Sequence, residues 1–518
     1  MTSRRRTLLA ALVGLTAALA TLAVAEVVAL FVSPAASPLA AVGSFVIDIV
    51  PPWVKDTAIA LFGTGDKAAL LVGLGLLVAI LAAVIGVLEL RRPPFGVVGL
   101  AAVGLIATIA AGTRAEATIF WALPTVIGMV IGVVVLRAGI RRLTQWVEVP
   151  ETARKNAAAV SRRGFIGFLG ASAGAAVIAG VAARIVNSTS TAVNAVREAL
   201  SLPAPTTAAA PIPAGAELDI EGLYPLVTPN PDFYRIDTAL VVPIVRAADW
   251  KLRIVGEVEN EIEITFDELL ALPLIETYVT LTCVSNEVGG GLIGNAKWMG
   301  YPIRELLARA KPKAGADMVM SRSVDGFTAG TPLSVLMEED RDSILAVSMN
   351  GEALPLEHGF PVRMVVPGLY GYVSATKWVT ELKLTRFSKE TAYWTDRGWS
   401  AKGPIKLSSR IDTPKYTSIV STEQAVSVAG VAWAQHTGVK AVEIRVDKGE
   451  WMPTTLAPAI SDDTWVQWST TWTPTEDKVY LVEVRATDAN GEVQSSNRVQ
   501  PAPDGSEGWH AITIEARP

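Results

Sequence analysis

The chain has 518 residues, half of them hydrophobic, and a formal net charge of −5. That length exceeds one ordinary core and implies several modules, while the slight acidity excludes a basic nucleic-acid surface. A single cysteine excludes an intramolecular disulfide and leaves a buried thiol, an intermolecular partner or a reactive or metal-binding thiolate.

Before about Val186 the sequence is mostly Ala, Val, Leu and Gly with few charges. A bilayer is crossed by about 20 apolar residues in helical form, because backbone groups find no water there. Stretches of that kind run Thr7–Val32, Ala68–Leu88, Phe95–Ala111, Ile119–Leu136 and Phe165–Ile185, the third being the shortest. Arg4, Arg5 and Arg6, then Arg91 and Arg92, then Arg137, Arg141 and Arg142 fall on one set of loops; Lys55, Lys67 and Arg114 fall on the other. The bias of basic residues toward the cytoplasm puts the first set inside and everything after Ile185 outside. No His or Cys precedes Cys283, so these helices offer no usual axial haem ligand, and Glu26 is the one acid within a predicted span. The expected role is an anchor in the lipid bilayer: four helices over 1–150 and a fifth in 151–190.

Ser161-Arg162-Arg163-Gly164-Phe165-Ile166 precedes the last span and resembles the twin-arginine export signal. The alternative is that both arginines simply anchor the helix on the cytoplasmic side. Export by that route carries folded proteins, which suits an enzyme loaded with its cofactor beforehand.

Residues 191–218 are expected to be a linker, since Ser201–Gly215 is rich in Ala, Pro and Thr and suits an extended, poorly packed spacer. From Asp219 short alternating strands mix with short helices: Leu252–Val258 and Thr277–Cys283 read as strands, Ile303–Ala310 and Pro332–Glu338 as helices. This predicts an α+β domain over 219–400. After Asp412 the pattern is all β, with alternation in Val442–Val446 and Tyr480–Ala486 and turn residues at Asp488–Gly491. Trp433, Trp451, Trp465, Trp468 and Trp472 read as buried, and 412–518 is predicted to be a β-sandwich. His436 and His510 read as surface or packing residues.

The chemistry concentrates in Leu281-Thr282-Cys283-Val284-Ser285-Asn286-Glu287-Val288-Gly289-Gly290, where a strand delivers the cysteine into a glycine-bearing loop. Glycines let backbone pass close to a bulky ligand, and a thiolate is a soft donor suited to a redox metal. On chemistry alone the signal is weak, since a lone cysteine in a strand is more often than not a buried small hydrophobe.

Several blocks within Asp219–Arg386 resemble the sulfite-oxidase family of molybdopterin-dependent oxidoreductases. They are Asn230-Pro-Asp-Phe-Tyr-Arg235, similar to a strand leading into the family's site; the cysteine loop; Ser323-Val-Asp325-Gly-Phe327, similar to an Asp-Gly-aromatic turn; and His358-Gly-Phe-Pro-Val-Arg363 running on to Ser374-Ala-Thr376-Lys377-Trp378. The resemblance implies a Mo-molybdopterin cofactor, with Cys283 as the metal ligand and Cys283 and Arg235 as catalytic residues. Asn230, Tyr234, Asp325, His358, Arg363, Ser374, Thr376 and Lys377 would contact the pterin and its phosphate. Arg363, Lys377 and the 374–377 loop suit a phosphate in charge as well. The sandwich is similar to the family's immunoglobulin-like dimerisation domain, which makes a homodimer an open expectation.

These readings imply a membrane-anchored oxidoreductase that transfers an oxygen atom to or from a small substrate outside the cytoplasm and exchanges electrons with a separate partner. The other reading is a cofactor-free, membrane-tethered binding or scaffold protein. Asp237 beside Arg235, Glu287 after Cys283 and Phe327 in place of a tyrosine depart from the sulfite-oxidase pattern. Acidic groups oppose an oxyanion in a low-dielectric pocket, so sulfite is not the expected substrate and a neutral oxygen-bearing compound such as a sulfoxide is at least as good a candidate.

Overall fold

The computed structural model describes residues 2–51, 54, 57, 61–62, 65–115, 117–148, 162–188 and 197–518. Ser161 of the paired-arginine motif and 191–196 of the expected linker lie outside the described residues. The chain divides into two units, Met1–Ala192 with Thr238–Pro243, and Val193–Asp237 with Ile244–Pro518.

The first unit is helical: α1 (Ser3–Val32), α2 (Pro38–Ile49), α3 (Asp66–Arg91), α4 (Phe95–Gly112), α5 (Leu123–Glu148) and α6 (Arg162–Ser188). Among the described residues five are long and apolar enough to cross a membrane, matching the five predicted stretches. The short helix α2 was not expected from the sequence; Pro38 at its start fixes φ and gives up no needed N–H. Helix α1 packs against α3, α5 and α6. Small residues make this close: a Cβ at Gly14 would run into the carbonyl of Ala82, and one at Gly86 into that of Ala10. Large apolar side chains such as Leu76, Ile80, Leu105 and Ile178 are exposed on the outside. The expectation of one acid within a span is corrected: Glu26 and Glu89 are both buried. Glu26 accepts from Ser37 Oγ at 2.5 Å and Glu89 accepts from Val97 N at 3.0 Å, capping the first turn of α4.

In the second unit, the strands are β1 (Lys251–Gly256), β2 (Ile262–Thr265), β3 (Ile275–Thr282), β4 (Ile293–Pro302), β5 (Met318–Ser323), β6 (Thr328–Pro332), β7 (Ile344–Met349), β8 (Glu352–Ala353), β9 (Arg363–Val365) and β10 (Val379–Thr385). Helices α7 (Phe266–Leu270), α8 (Ile303–Ala310) and α9 (Leu333–Met337) lie between them. One sheet runs β3-β4-β7-β8 with β9 also on β7; the other runs β2-β1-β10-β5-β6. Trp250, Trp298 and Trp378 are fully buried and spend their indole N–H groups on the carbonyls of Val379, Val279 and Leu356.

The predicted spacer is corrected at its end. Arg197 donates to Ala353 O at 3.0 Å, Thr206 N to Leu274 O at 2.7 Å, and Thr207 bridges Ile275 on β3. Ala216 is fully buried. The edge of β3 presents backbone groups that need partners, and an extended Pro-rich chain supplies them.

Beyond Arg386 nine further strands follow, β11 (Ser408–Thr413), β12 (Ser418–Ser421), β13 (Val426–Trp433), β14 (Val439–Val446), β15 (Met452–Pro453), β16 (Thr455–Leu456), β17 (Val466–Trp472), β18 (Val479–Asp488) and β19 (His510–Arg517). They form two sheets, β11-β13-β17-β16 and β12-β19-β18-β14-β15. Val428, Ala432 and Trp468 of one meet Val442, Val482 and Ile512 of the other in a shared core, a β-sandwich as predicted. Trp451 and Trp472 are half-buried, not buried. Trp451 packs its edge on Trp509 and lies against Arg445 and Arg485, so it covers the rim of the sandwich.

Candidate cofactor and active site

Cys283 stands at the end of β3, and its loop closes on itself. Cys283 N donates to Leu292 O at 2.9 Å, Asn286 N to Cys283 O at 3.0 Å, and Leu292 N to Asn286 Oδ1 at 2.8 Å. The thiol is 9% exposed. Burial pushes its pKa up, while Ser285 opposes this with hydrogen bonds from its amide and hydroxyl. Glu287 is exposed, so its expected place in a low-dielectric pocket is corrected.

The predicted strand Asn230–Arg235 is a 3-10 turn over Asn230–Asp232 followed by extended chain without a ladder partner. Pro229 and Pro231 remove two ladder donors and favour the turn. Phe233 stacks on Tyr234 at 5.2 Å and meets Trp298 and His358 edge-on at 5.7 and 5.5 Å. Gly294 makes room for that ring, since a Cβ there would lie 2.7 Å from it. Tyr234 is thereby carried to the thiol: burial raises its pKa first, Cys283 raises it further and Arg363 lowers it.

Arg363, on β9, is 5% exposed and lies 5.1 Å from the Trp298 ring. Its guanidinium donates to the carbonyls of Met364, His358 and Ala375 at 3.3, 3.3 and 3.4 Å. Among the described residues no carboxylate pairs with it. Burial lowers its pKa to about 10, so the cation is costly where it stands.

His358 is buried, and its Nε2 faces Asn230 O at 3.3 Å. A carbonyl only accepts, so Nε2 carries the proton and Nδ1 is left as an acceptor. Burial, then Arg363 and Lys377, lower the His358 pKa to about 4. Asn230 is oriented by Met349 O and by Asn350, whose Nδ2 donates to its Oδ1 at 2.9 Å.

Lys377 donates to Asp237 at 2.9 Å and to Glu357 O at 3.1 Å. Burial lowers its pKa to about 8, with Asp237 working against the shift. Arg235 shares the same carboxylate at 3.1 Å. Gly359, at φ +110, allows the approach of this segment: a Cβ there would lie 3.1 Å from the Cβ atoms of Arg363 and Lys377. The hydroxyls of Ser374 and Thr376 are turned inward, to Leu369 O and Tyr370 O and to Ser321. The amide N–H groups of Thr376 and Lys377 meet no acceptor among the described residues.

The sequence-predicted residues Asn230, Tyr234, Cys283, His358, Arg363 and Lys377 thus converge, and Arg235 joins them through Asp237. Asp325 caps its own hairpin turn, accepting from Phe327 N at 3.3 Å; the turn touches the group through Val324 N, which donates to Trp378 O at 3.0 Å. Sequence reasoning missed Asn350, Tyr370 and the pairing role of Asp237. Asn350-Gly351 was a readable hairpin signal. Tyr370 is buried, and its pKa is raised to about 12 chiefly by burial and also by Cys283. Elsewhere Glu338, Asp340 and His436 approach one another, but Arg341 at 2.6 Å from Glu338 and Asp463 at 3.1 Å from His436 pair these charges within the protein.

Among the described residues Arg235 and Lys377 share the Asp237 carboxylate while Arg363 has none, and two amides without an acceptor and a shielded thiol lie on the same segments. That donor set fits a phosphate-bearing pterin dithiolene and its metal. A buried guanidinium without a counter-ion calls for an anion, and a thiol beside it offers the soft ligand.

These features define a molybdopterin-binding oxidoreductase domain, and the model of that name, "Oxidoreductase molybdopterin binding domain", matches residues 239–394. Mitochondrial sulfite oxidase of Mus musculus is 30% identical over 262 residues, 43% of this chain and 46% of the relative. "Uncharacterized oxidoreductase YuiH" of Bacillus subtilis is 31% identical over 154 residues, 30% of this chain and 74% of the relative. The NADH nitrate reductase of Solanum lycopersicum is 28% identical over 284 residues, 44% and 31% of the two chains. The sulfane dehydrogenase SoxCD of Paracoccus pantotrophus has a similar fold, with a TM-score of 0.50 at 23% identity over 57% of this chain and 82% of that one. The chain belongs to the sulfite-oxidase family of molybdopterin-dependent oxidoreductases, whose cofactor is Mo-molybdopterin. It spans about half the length of the sulfite oxidases it matches.

Proposed function

We propose that the protein is a membrane-anchored oxidoreductase performing two-electron oxygen-atom transfer on a small substrate outside the cytoplasm. The observation that carries this reading is the buried guanidinium of Arg363, without a carboxylate partner among the described residues and bordering the Tyr234 hydroxyl that also senses Cys283. Bound Mo-molybdopterin supplies the two-electron couple and the centre at which oxygen is exchanged.

The chain's own residues bind and orient. Arg363, Lys377 and the amides of Thr376 and Lys377 hold the phosphate; His358 offers its Nδ1 lone pair to a donor on the pterin, and Asn230 and Asp325 border it. Ser374 and Thr376 shape the loop from within. Cys283 would serve, as its thiolate, as the protein ligand of the metal. Tyr234, kept protonated by burial, offers its hydroxyl as a donor beside the thiolate. Arg235, 42% exposed, shares the Asp237 carboxylate with Lys377, which weakens its positive field. That weakened field favours a neutral oxygen-bearing substrate such as a sulfoxide over an oxyanion.

Five apolar helices and the outward-facing leucines and isoleucines support anchoring in a bilayer. The basic loops and the paired arginines support an outer location reached by twin-arginine export. A separate electron partner is required, and the sandwich, of immunoglobulin-like type, suits a homodimer.

The test is metal and pterin analysis of full-length protein from a cofactor-competent host. Wild type is expected to hold molybdenum and pterin in equal amounts, and Cys283→Ser to keep the pterin while losing turnover. Wild type that carries neither overturns the reading and leaves the cofactor-free scaffold.

A further inference from the structure

Two carbonyls of the cysteine loop, those of Asn286 and Gly290, are taken up by the C-terminal sandwich. Arg410 on β11 donates from Nη1 to Gly290 O at 2.9 Å, and Ser506 Oγ donates to Asn286 O at 2.7 Å. Gln435 Nε2 donates to Thr282 Oγ1 at 3.0 Å, one residue before the cysteine. The His510 ring fills the space beside Gly289, where a Cβ would collide with it. His510 Nδ1 is in turn fixed by Ile411 N at 3.0 Å.

Arg410 is the unusual member. Its side chain is 6% exposed and its Nε lies 2.6 Å from Asp412, itself 5% exposed. Among the described residues Nη2 is buried without a hydrogen-bond acceptor, and the guanidinium lies 5.2 Å from the Tyr224 ring. A buried ion pair is a poor device for stability, because desolvation offsets the attraction and apolar groups of similar size do as well. What it does supply is direction: a planar fork held by Asp412 can hand one N–H to one carbonyl and to no other.

We propose that Arg410 is a positioning residue that fixes the Cys283 loop from the sandwich, so that the second domain sets the placement of the thiolate. The inference rests on the reading of Cys283 as the metal ligand, but the bracing itself is testable without metal. Cys283 is the sole cysteine, so thiol alkylation of full-length, cofactor-free protein reports on it alone.

The experiment compares wild type, Arg410→Met, Arg410→Lys and Ser506→Ala by alkylation rate with iodoacetamide and by hydrogen exchange of 284–292. Arg410→Met is expected to alkylate about ten-fold faster, with faster exchange confined to that loop, because one charge-assisted bond no longer holds it shut. Arg410→Lys should restore part of the protection, and Ser506→Ala should speed exchange at the same loop by a smaller factor. In the loaded protein, Arg410→Met should keep its molybdenum content and shift the molybdenum(V) resonance. Equal alkylation and exchange in wild type and Arg410→Met overturn the proposal, as does acceleration spread evenly over the sandwich core. Should Arg410→Met fail to fold, Ser506→Ala decides: local acceleration supports bracing and its absence contradicts it. Wild type devoid of molybdenum would instead sink the functional reading and leave the alkylation result standing.

Discussion

Lys377 and Asp237 form an ion pair at 2.9 Å in which the carboxylate is only 4% exposed and also receives Arg235. On the proposed reading the same lysine would also meet the cofactor phosphate, so the carboxylate would compete with the cofactor for its charge. Asp237→Asn should lower the melting temperature of the cofactor-free protein, since removing one partner of a buried pair costs about 3–5 kcal/mol. Adding inorganic phosphate should recover part of that loss. Calorimetry of both proteins with and without phosphate checks this, and equal melting temperatures would contradict it.

Arg363 gives the opposite balance. Its guanidinium is buried against carbonyls with no carboxylate among the described residues. Arg363→Met should change the stability of the cofactor-free protein by no more than about 1 kcal/mol, the relief of a buried charge offsetting the orphaned carbonyls. Cofactor retention should fall about ten-fold or more, because charge-assisted bonds to phosphate are lost. Arg363→Lys should fall between, lacking the fork. Molybdenum content against melting temperature separates the two effects.

How much of this was legible in the sequence varies residue by residue. The five long helices and the cysteine at a strand end follow from hydrophobic runs and alternation, which are local signals. The pairing of Asp237 with Lys377 was not legible, because it joins segments 140 residues apart. The chain leading to Tyr234 was expected as a strand; its two prolines and the packing of Phe233 on Gly294 decide otherwise. The linker looked free because its composition is Pro- and Ala-rich, yet Thr207 finds the open edge of β3. Composition reports local stiffness and says nothing of which distant edge needs a partner.

His358 predicts a pH dependence. Its pKa is lowered from 6.5 to about 4 in the folded protein. Between those values the unfolded chain binds more protons, so stability rises with pH there and falls on acidification from 6.5 toward 4. The full effect is on the order of 3 kcal/mol. His510 has a similar shift and contributes its own share. The difference between wild type and His358→Gln in melting temperature should therefore change between pH 6.5 and 4 and stay constant above 7. A constant difference throughout would contradict the buried, neutral imidazole.

The central claim is that Cys283 is the one protein thiolate on the metal. X-ray absorption at the molybdenum edge of loaded wild type and Cys283→Ser measures it directly. The account predicts one sulfur neighbour fewer in the variant with the pterin content unchanged. Identical sulfur counts in the two proteins would show that the thiol of Cys283 never reaches the metal.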